Sequence, residues 1–185
     1  MRRIVVSEFV TLDGVMEDPG GAEAFDRGGW AFQFERGPDG DKFKLDEVLE
    51  ADALLLGRKT YEGFAKAWPT VTDEVGFAEK MNSMPKYVVS STLESADWNN
   101  STVINGDVVD EVAKLNGNIL VAGSAQLVQT LMDHDLVDEY RLMIYPVLLG
   151  SGKRLFRDGL DTTALQIVET NQTGQVATVV LQRAA

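Results

Sequence analysis

The chain contains no cysteine. That excludes disulfides, thiolate catalysis, iron–sulfur clusters and Cys-ligated zinc. The single histidine, His134, excludes multi-histidine metal sites, so no metal centre is expected. No Gly-x-Ser-x-Gly elbow accompanies it, and its setting in Met-Asp-His-Asp-Leu suits a helix end or the surface. No apolar run approaches the roughly 18 residues that cross a bilayer. The opening Met-Arg-Arg, with Glu8 close behind, is too short and too charged for a signal peptide, and a cytoplasmic location is the expectation. Basic residues are scarce: 17 Lys and Arg stand against 29 Asp and Glu, a formal charge of -12. That excess repels nucleic acid and anionic lipid, so neither is an expected partner. An anionic ligand then needs a local basic spot, which makes a clustered Arg-Lys pair informative.

What is present is organised around residues 52–62. The apolar run Ala53 to Leu56 reads as a strand buried on both sides, and Gly57 ends it. Arg58, Lys59 and Thr60 follow at once. Thr60 is the expected N-cap of an amphipathic helix through Tyr61, Phe64, Ala65 and Trp68, with Pro69 as the stop. A buried strand, a glycine turn and a helix N-terminus present free N–H groups to an anion. The cations and the hydroxyl add charge-assisted hydrogen bonds, so a phosphate is expected here; solvated Arg and Lys are the plainer alternative.

The whole chain, at 185 residues, is enough for one domain over 1–185 with a real core. Ile4 to Val10 is a first strand, and Asp13-Gly14 turns the chain at its carboxyl end, where ligands of open α/β sheets bind. Residues 16–40 are glycine-rich and irregular, with Phe25, Trp30, Phe32 and Phe34. These aromatics suit a lid over a flat ligand, or else padding for a core edge or subunit contact. Helical patterns cover 39–50, 72–82 and 107–115, with another beginning near Leu127. Strands are expected at 86–89, 102–104 and 118–122, with one long strand over 137–149. Residues 165–170 and 176–182 read as a closing β-hairpin. The sum is an α/β fold in three layers: a mixed, mostly parallel sheet, helices on both faces, and a C-terminal antiparallel hairpin.

Three stretches carry more than generic α/β patterning: Leu-Leu-Leu-Gly-Arg-Lys-Thr-Tyr-Glu (54–62), Ile-Leu-Val-Ala-Gly-Ser-Ala-Gln-Leu-Val (119–128), and residues 136–156 with Tyr-Pro-Val-Leu-Leu-Gly-Ser-Gly-Lys-Arg. With Ser-Glu-Phe-Val-Thr-Leu-Asp-Gly-Val (7–15), they resemble the dihydrofolate-reductase-like superfamily, and more closely the reductase (C-terminal) domain of the riboflavin-biosynthesis enzyme RibD and its stand-alone relatives. The resemblance implies NADPH as cofactor and hydride transfer to an electron-poor heterocycle. It implies that Gly57, Arg58, Lys59 and Thr60 hold the 2′-phosphate side and that Ser90, Ser91 and Thr92 contact the adenosine end. Gly123, Ser124, Ala125, Gln126 and Leu127 would cradle the pyrophosphate. On the substrate side it implies Trp30, Tyr145, Gly152 and Lys153, with Arg154 beside Lys153. Pairing of two copies is a further implication.

Several departures shape these expectations. Folate reductases carry Gly-Gly where this chain has Gly123-Ser124, and a Cβ makes unusual backbone costlier. No arginine lies between Arg58 and Arg141, and Lys66, Lys80 and Lys86 lack the bidentate fork that grips a folate carboxylate. Folate is thereby disfavoured against a pterin or a ribosylaminopyrimidine. The acting carboxylate is either Asp41, at the spacing of folate reductases, or Asp13, which the RibD-type resemblance favours. The rival functions are a non-catalytic NADP(H)-binding module of the same fold and a true dihydrofolate reductase.

Overall fold

The computed structural model describes residues 1–184. One eight-stranded sheet draws on β1 (Arg2–Thr11), β2 (Ala53–Gly57), β3 (Lys86–Val89), β4 (Ser101–Ile104), β5 (Gly117–Val121), β6 (Glu139–Tyr145), β7 (Leu165–Thr173) and β8 (Val176–Arg183). Their order is β4-β3-β2-β5-β1-β6-β8-β7. All pairs are parallel up to β6, and the β6–β8–β7 end is antiparallel. The helices are α1 (Gly37–Glu50), α2 (Arg58–Ala67), α3 (Phe77–Ser83), α4 (Val108–Ala113) and α5 (Ala125–Asp133). Among the described residues no helix is long and apolar enough to cross a membrane.

Period-two alternation explains the three layers. Ile4, Val6, Leu55, Ile119 and Val121 pack on Val112 of α4 and on Leu127, Val128 and Leu131 of α5. Val5, Leu54, Leu56, Val88 and Leu120 pack on the opposite face against Val48, Tyr61 and Met81 of α1, α2 and α3. Central strands apolar on both faces read as continuous runs, which is why 53–56 is recognisable as a core strand.

The chain departs from the expected elements at four places. Gly57, not Thr60, is the N-cap of α2, because helical geometry begins at Arg58 directly after the strand. The helix expected over 72–82 starts only at Phe77, since the Asp73 carboxylate accepts the amides of Val75, Gly76, Phe77 and Ala78 and holds a turn instead. The long strand over 137–149 is cut to Glu139–Tyr145, because Pro146 lacks an N–H for the ladder. Segment 16–40 is not a free lid. Asp18 folds it back by accepting the amides of Glu23 and Phe25, and Trp30 opens a 3-10 turn with no exposed surface. The Trp30 ring stands edge-on to Tyr145 at 5.3 Å, and its Nε1 donates to Glu17 O at 2.9 Å. Phe32 alone of this group is strongly exposed.

Truncating Trp30 therefore excavates the core. Trp30→Ala is expected to lower the unfolding free energy by about 3–5 kcal/mol in urea titrations. A loss under about 1 kcal/mol, the size of ordinary surface substitutions, would make the segment a mobile cover instead.

Candidate active site

The order of the strands sets where a ligand can lie. From β1 the chain crosses over β5 to reach β2, whereas from β5 it crosses over β1 to reach β6. The crevice between β1 and β5, at their carboxyl ends, is thus the switch point at which open α/β sheets bind ligands. The β1–β5 ladder ends at Val6↔Val121, while β1 runs on beside β6 to Thr11. Past Val6 the strand is paired on one side only.

Three turns line up along this edge. Gly57 N donates to Gly123 O at 3.1 Å, clamping the end of β2 onto the end of β5. A Cβ on Gly57 would fall 2.7 Å from the Ser124 Cβ, and one on Gly123 would fall 2.7 Å from Thr60 Oγ1. Only glycine allows the two backbones this close. The Gly123–Ser124 peptide is cis, with Gly123 at φ +96 and Ser124 extended at φ -79. The position where a Cβ is disfavoured is therefore Gly123, and Ser124 carries its side chain on ordinary backbone.

The contact brings together the N-termini of α2 and α5. Gly57 and Ser124 are their N-caps, and neither end has a side-chain cap. The free amides of Arg58, Lys59, Thr60, Ala125, Gln126 and Leu127 belong to these first turns. Leu127 offers only its backbone, since its side chain is buried. Arg58 pairs with Glu62 at 2.9 Å and donates through Nη1 to Thr92 Oγ1, bridging the β2 and β3 turns. Lys59 is exposed, and among the described residues no carboxylate pairs with it. Ser90 is committed elsewhere: its Oγ accepts the amides of Thr92 and Leu93 and builds the turn. Ser91 and Thr92 are exposed. Expected cofactor residues from three separate stretches thus form one row.

The substrate-side expectations fare differently. Trp30 and Tyr145 are buried beneath the surface with Met143 and Val176, so neither ring lines an open face. Gly152 packs against Val15 and Phe25. Lys153 is exposed and its amide donates to Glu17 at 2.8 Å, while Arg154 Nη1 donates to the Asp13 carbonyl at 3.0 Å.

Neither expected carboxylate is placed as an acid. The Thr11 hydroxyl, at 2.5 Å, is the main influence holding the Asp13 carboxyl down to about 2, against some desolvation, with the Gly150 and Leu149 amides adding to it. Asp13 is ionised at neutral pH, and its oxygens pin the 147–154 loop. Asp41 is largely exposed and paired with Arg36 at 2.6 Å. Lys86, one of the cations between Arg58 and Arg141, is buried; its Nζ donates to the carbonyls of Asn82, Met84 and Asn99 and is not free to grip a ligand.

Glu8 is the group that sequence reasoning missed. It lies on β1 two residues past the last β5 pair, is 8% exposed, and its Oε1 has no hydrogen-bond partner. Burial pushes its carboxyl up to about 8; Lys44 and the Gly123 amide pull it down, and Glu47 and Glu23 push it up. Lys44 is already engaged with Ser7 and Glu47. The available signal was a lone acid set between the apolar runs Ile4–Val6 and Phe9–Val10 of one strand.

Linkage turns this into a stability prediction. Between the ordinary carboxyl value of 4.5 and about 8, the folded protein keeps a proton that the unfolded chain releases. Stability from this group is complete below that window and is lost as pH rises through it. Glu8→Gln is expected to flatten the pH dependence of unfolding by up to about 1.4 kcal/mol per pH unit between about pH 5 and 8. Superimposable pH profiles for parent and variant would place the carboxyl in water.

Comparison with known proteins shows the same fold and a family. The chain is 35% identical over 176 residues to the uncharacterized protein YyaP of Bacillus subtilis (strain 168), covering 91% of this chain and 88% of that one. It is similar in fold to a Shewanella sp. PV-4 protein provisionally assigned to riboflavin biosynthesis, with a TM-score of 0.77, 21% identity and 99% of both chains covered. It also resembles the dihydrofolate reductase of Enterococcus faecalis complexed with NADP(H), with a TM-score of 0.58, 13% identity, and 99% of this chain and 97% of that one covered. The profile of the RibD C-terminal domain matches residues 2–179, and the chain belongs to that family of reductase domains.

Proposed function

We propose that the protein is an NADPH-dependent reductase delivering hydride to a small nitrogen heterocycle of the ribosylaminopyrimidine or pterin type. The observation that carries this reading is the meeting of two uncapped helix N-termini at the Gly57–Gly123 contact, with Arg58 at its rim. Converging amides and dipoles suit a diphosphate, and an Arg at the first position of α2 suits a further phosphate. The two helix starts can lie side by side there because a Cβ at Gly57 would strike Ser124 and one at Gly123 would strike Thr60. When bound there, NADPH supplies the hydride, and the chain supplies orientation and electrostatics. The Ala125 to Leu127 amides hold the diphosphate, Arg58 and Lys59 the 2′-phosphate, and Ser91 and Thr92 the adenosine end. Lys153 is placed to meet an anionic substituent on the acceptor. Dimerisation through edge strand β7, where Ile167 and Val168 are exposed, belongs to the same proposal.

A folate acceptor is disfavoured further by the engagement of Lys86 with three carbonyls. One observation favours a binding module without turnover: neither Asp13 nor Asp41 is placed to donate a proton. NADPH bound and never oxidised across pterins and ribosylaminopyrimidines would support that module.

The Arg58–Glu62 pair is exposed, and such pairs contribute little, so Arg58 can exchange Glu62 for a phosphate at small cost. Arg58→Ala is expected to weaken NADPH by roughly ten- to a hundredfold, the worth of a charge-assisted hydrogen bond, while leaving NADH within about twofold. Equilibrium fluorescence titration with both dinucleotides measures this. Equal losses would remove Arg58 from the 2′-phosphate.

A further inference from the structure

Reduction of a C=N bond needs a proton as well as hydride, and the expected aspartates do not provide one. Asp13 spends its oxygens on Thr11, Leu149 and Gly150, and Asp41 pairs with Arg36 at the surface. The remaining acid at the switch point is Glu8.

Its position is defined by the backbone. Val6 is the last β1 residue paired to β5, so Glu8 stands where β5 has already turned away through Gly123. Gly123 in turn lies against Thr60 and bonds Gly57. Glu8 therefore borders the two-glycine cradle on its β1 side. Its Oε1 is buried without a partner, an arrangement that costs free energy unless a ligand or a proton answers it. The charged groups facing it are Lys44 and Glu47 of α1 and Glu23 of the 16–29 segment. Lys44 and Glu47 neutralise one another and share the Ser7 hydroxyl. Lys44, so engaged, lowers the Glu8 carboxyl less than burial raises it.

We propose that Glu8 is the proton donor to the ring nitrogen of the acceptor, a role that rests on the reductase reading above. The carboxyl O–H bond breaks and an N–H bond forms. As the carbon of the C=N bond accepts hydride, with its two electrons, from reduced nicotinamide dinucleotide, the C=N π pair moves onto the nitrogen and takes that proton. Glu8 is left as carboxylate and regains its proton from water. A carboxyl pushed up to about 8 by burial is protonated at neutral pH, as a donor must be. The same shift makes it a stronger competitor for its proton than an ordinary carboxyl. It therefore suits an acceptor whose nitrogen becomes strongly basic as hydride arrives.

The test uses 2,4-diaminopyrimidine, a ring base whose ultraviolet spectrum reports protonation without turnover. The full chain is expected to bind it in the protonated form at pH 7.5 to 8.5, with Glu8 left ionised. Glu8→Gln should bind it at least about tenfold more weakly and leave it neutral, whereas Asp41→Asn should protonate it as the parent does. Glu8→Asp, an acid set one methylene back, should recover part of the protonation, which a merely structural role would not produce. Equal protonation by Glu8→Gln, transfer of the loss to Asp41→Asn, or failure of the parent to bind or protonate the probe would overturn the proposal. Should Glu8→Gln not fold, the parent decides alone: probe bound in its neutral form at pH 7.5 to 8.5 rejects Glu8. NADPH titration runs in parallel and separates the two claims. Unbound NADPH rejects the reductase reading whatever Glu8 does, and bound NADPH with unchanged probe chemistry rejects Glu8 alone.

Discussion

The hydrogen bond from Gly57 N to Gly123 O is the constraint on which the rest of the site depends. It forms because β2 and β5 are adjacent and parallel, in a register that sets Leu55 opposite Val121 and so brings Gly57 level with Gly123. Backbones that close leave no volume for a side chain, so both positions must be glycine. The consequence reaches beyond the pair. Two helices begin at the same place, and their free amides face one region of space. In a chain of formal charge -12, that convergence supplies a local positive field that the bulk composition denies.

Around this point the acidic residues divide by environment. Asp13, with a short bond from Thr11 and two amides, stays ionised and ties the end of β1 to the 147–154 loop. Glu8, five residues earlier and inside β1, has the Gly123 amide but leaves Oε1 unpaired, and burial pushes its carboxyl up to about 8. The two carboxyls thus take opposite states because hydrogen bonds outweigh burial at one and burial outweighs them at the other. Glu47 shows the third outcome, in which a buried carboxylate is stabilised by Lys44 and Ser7.

Much of this was legible in the residues themselves. Strands apolar on both faces announce themselves as runs, and Leu54 to Leu56 and Ile119 to Val121 are such runs. The three turns that line up at the ends of β2, β3 and β5 were recognisable because each follows a strand end directly. What was not legible depends on contacts between distant parts of the chain. Thr60 has the chemistry of an N-cap, yet helical geometry starts earlier because Gly57 is held by Gly123. The aromatics of 16–40 do not reveal in sequence whether they face a ligand or a core. Trp30 was decided by Tyr145, more than a hundred residues away. Glu8 looked like one charge in a strand, and its burial depends on parts of the chain far from it in sequence, among them Gly123 and the α1 groups Lys44 and Glu47.

The most direct test of the shared anion site is amide hydrogen exchange of the full chain with and without NADPH. Bound NADPH should slow exchange in two segments together, 57–60 and 124–127, with weaker protection at 91–92. Protection of one segment without the other, or of neither at saturating NADPH, would contradict a single site built on the Gly57–Gly123 contact.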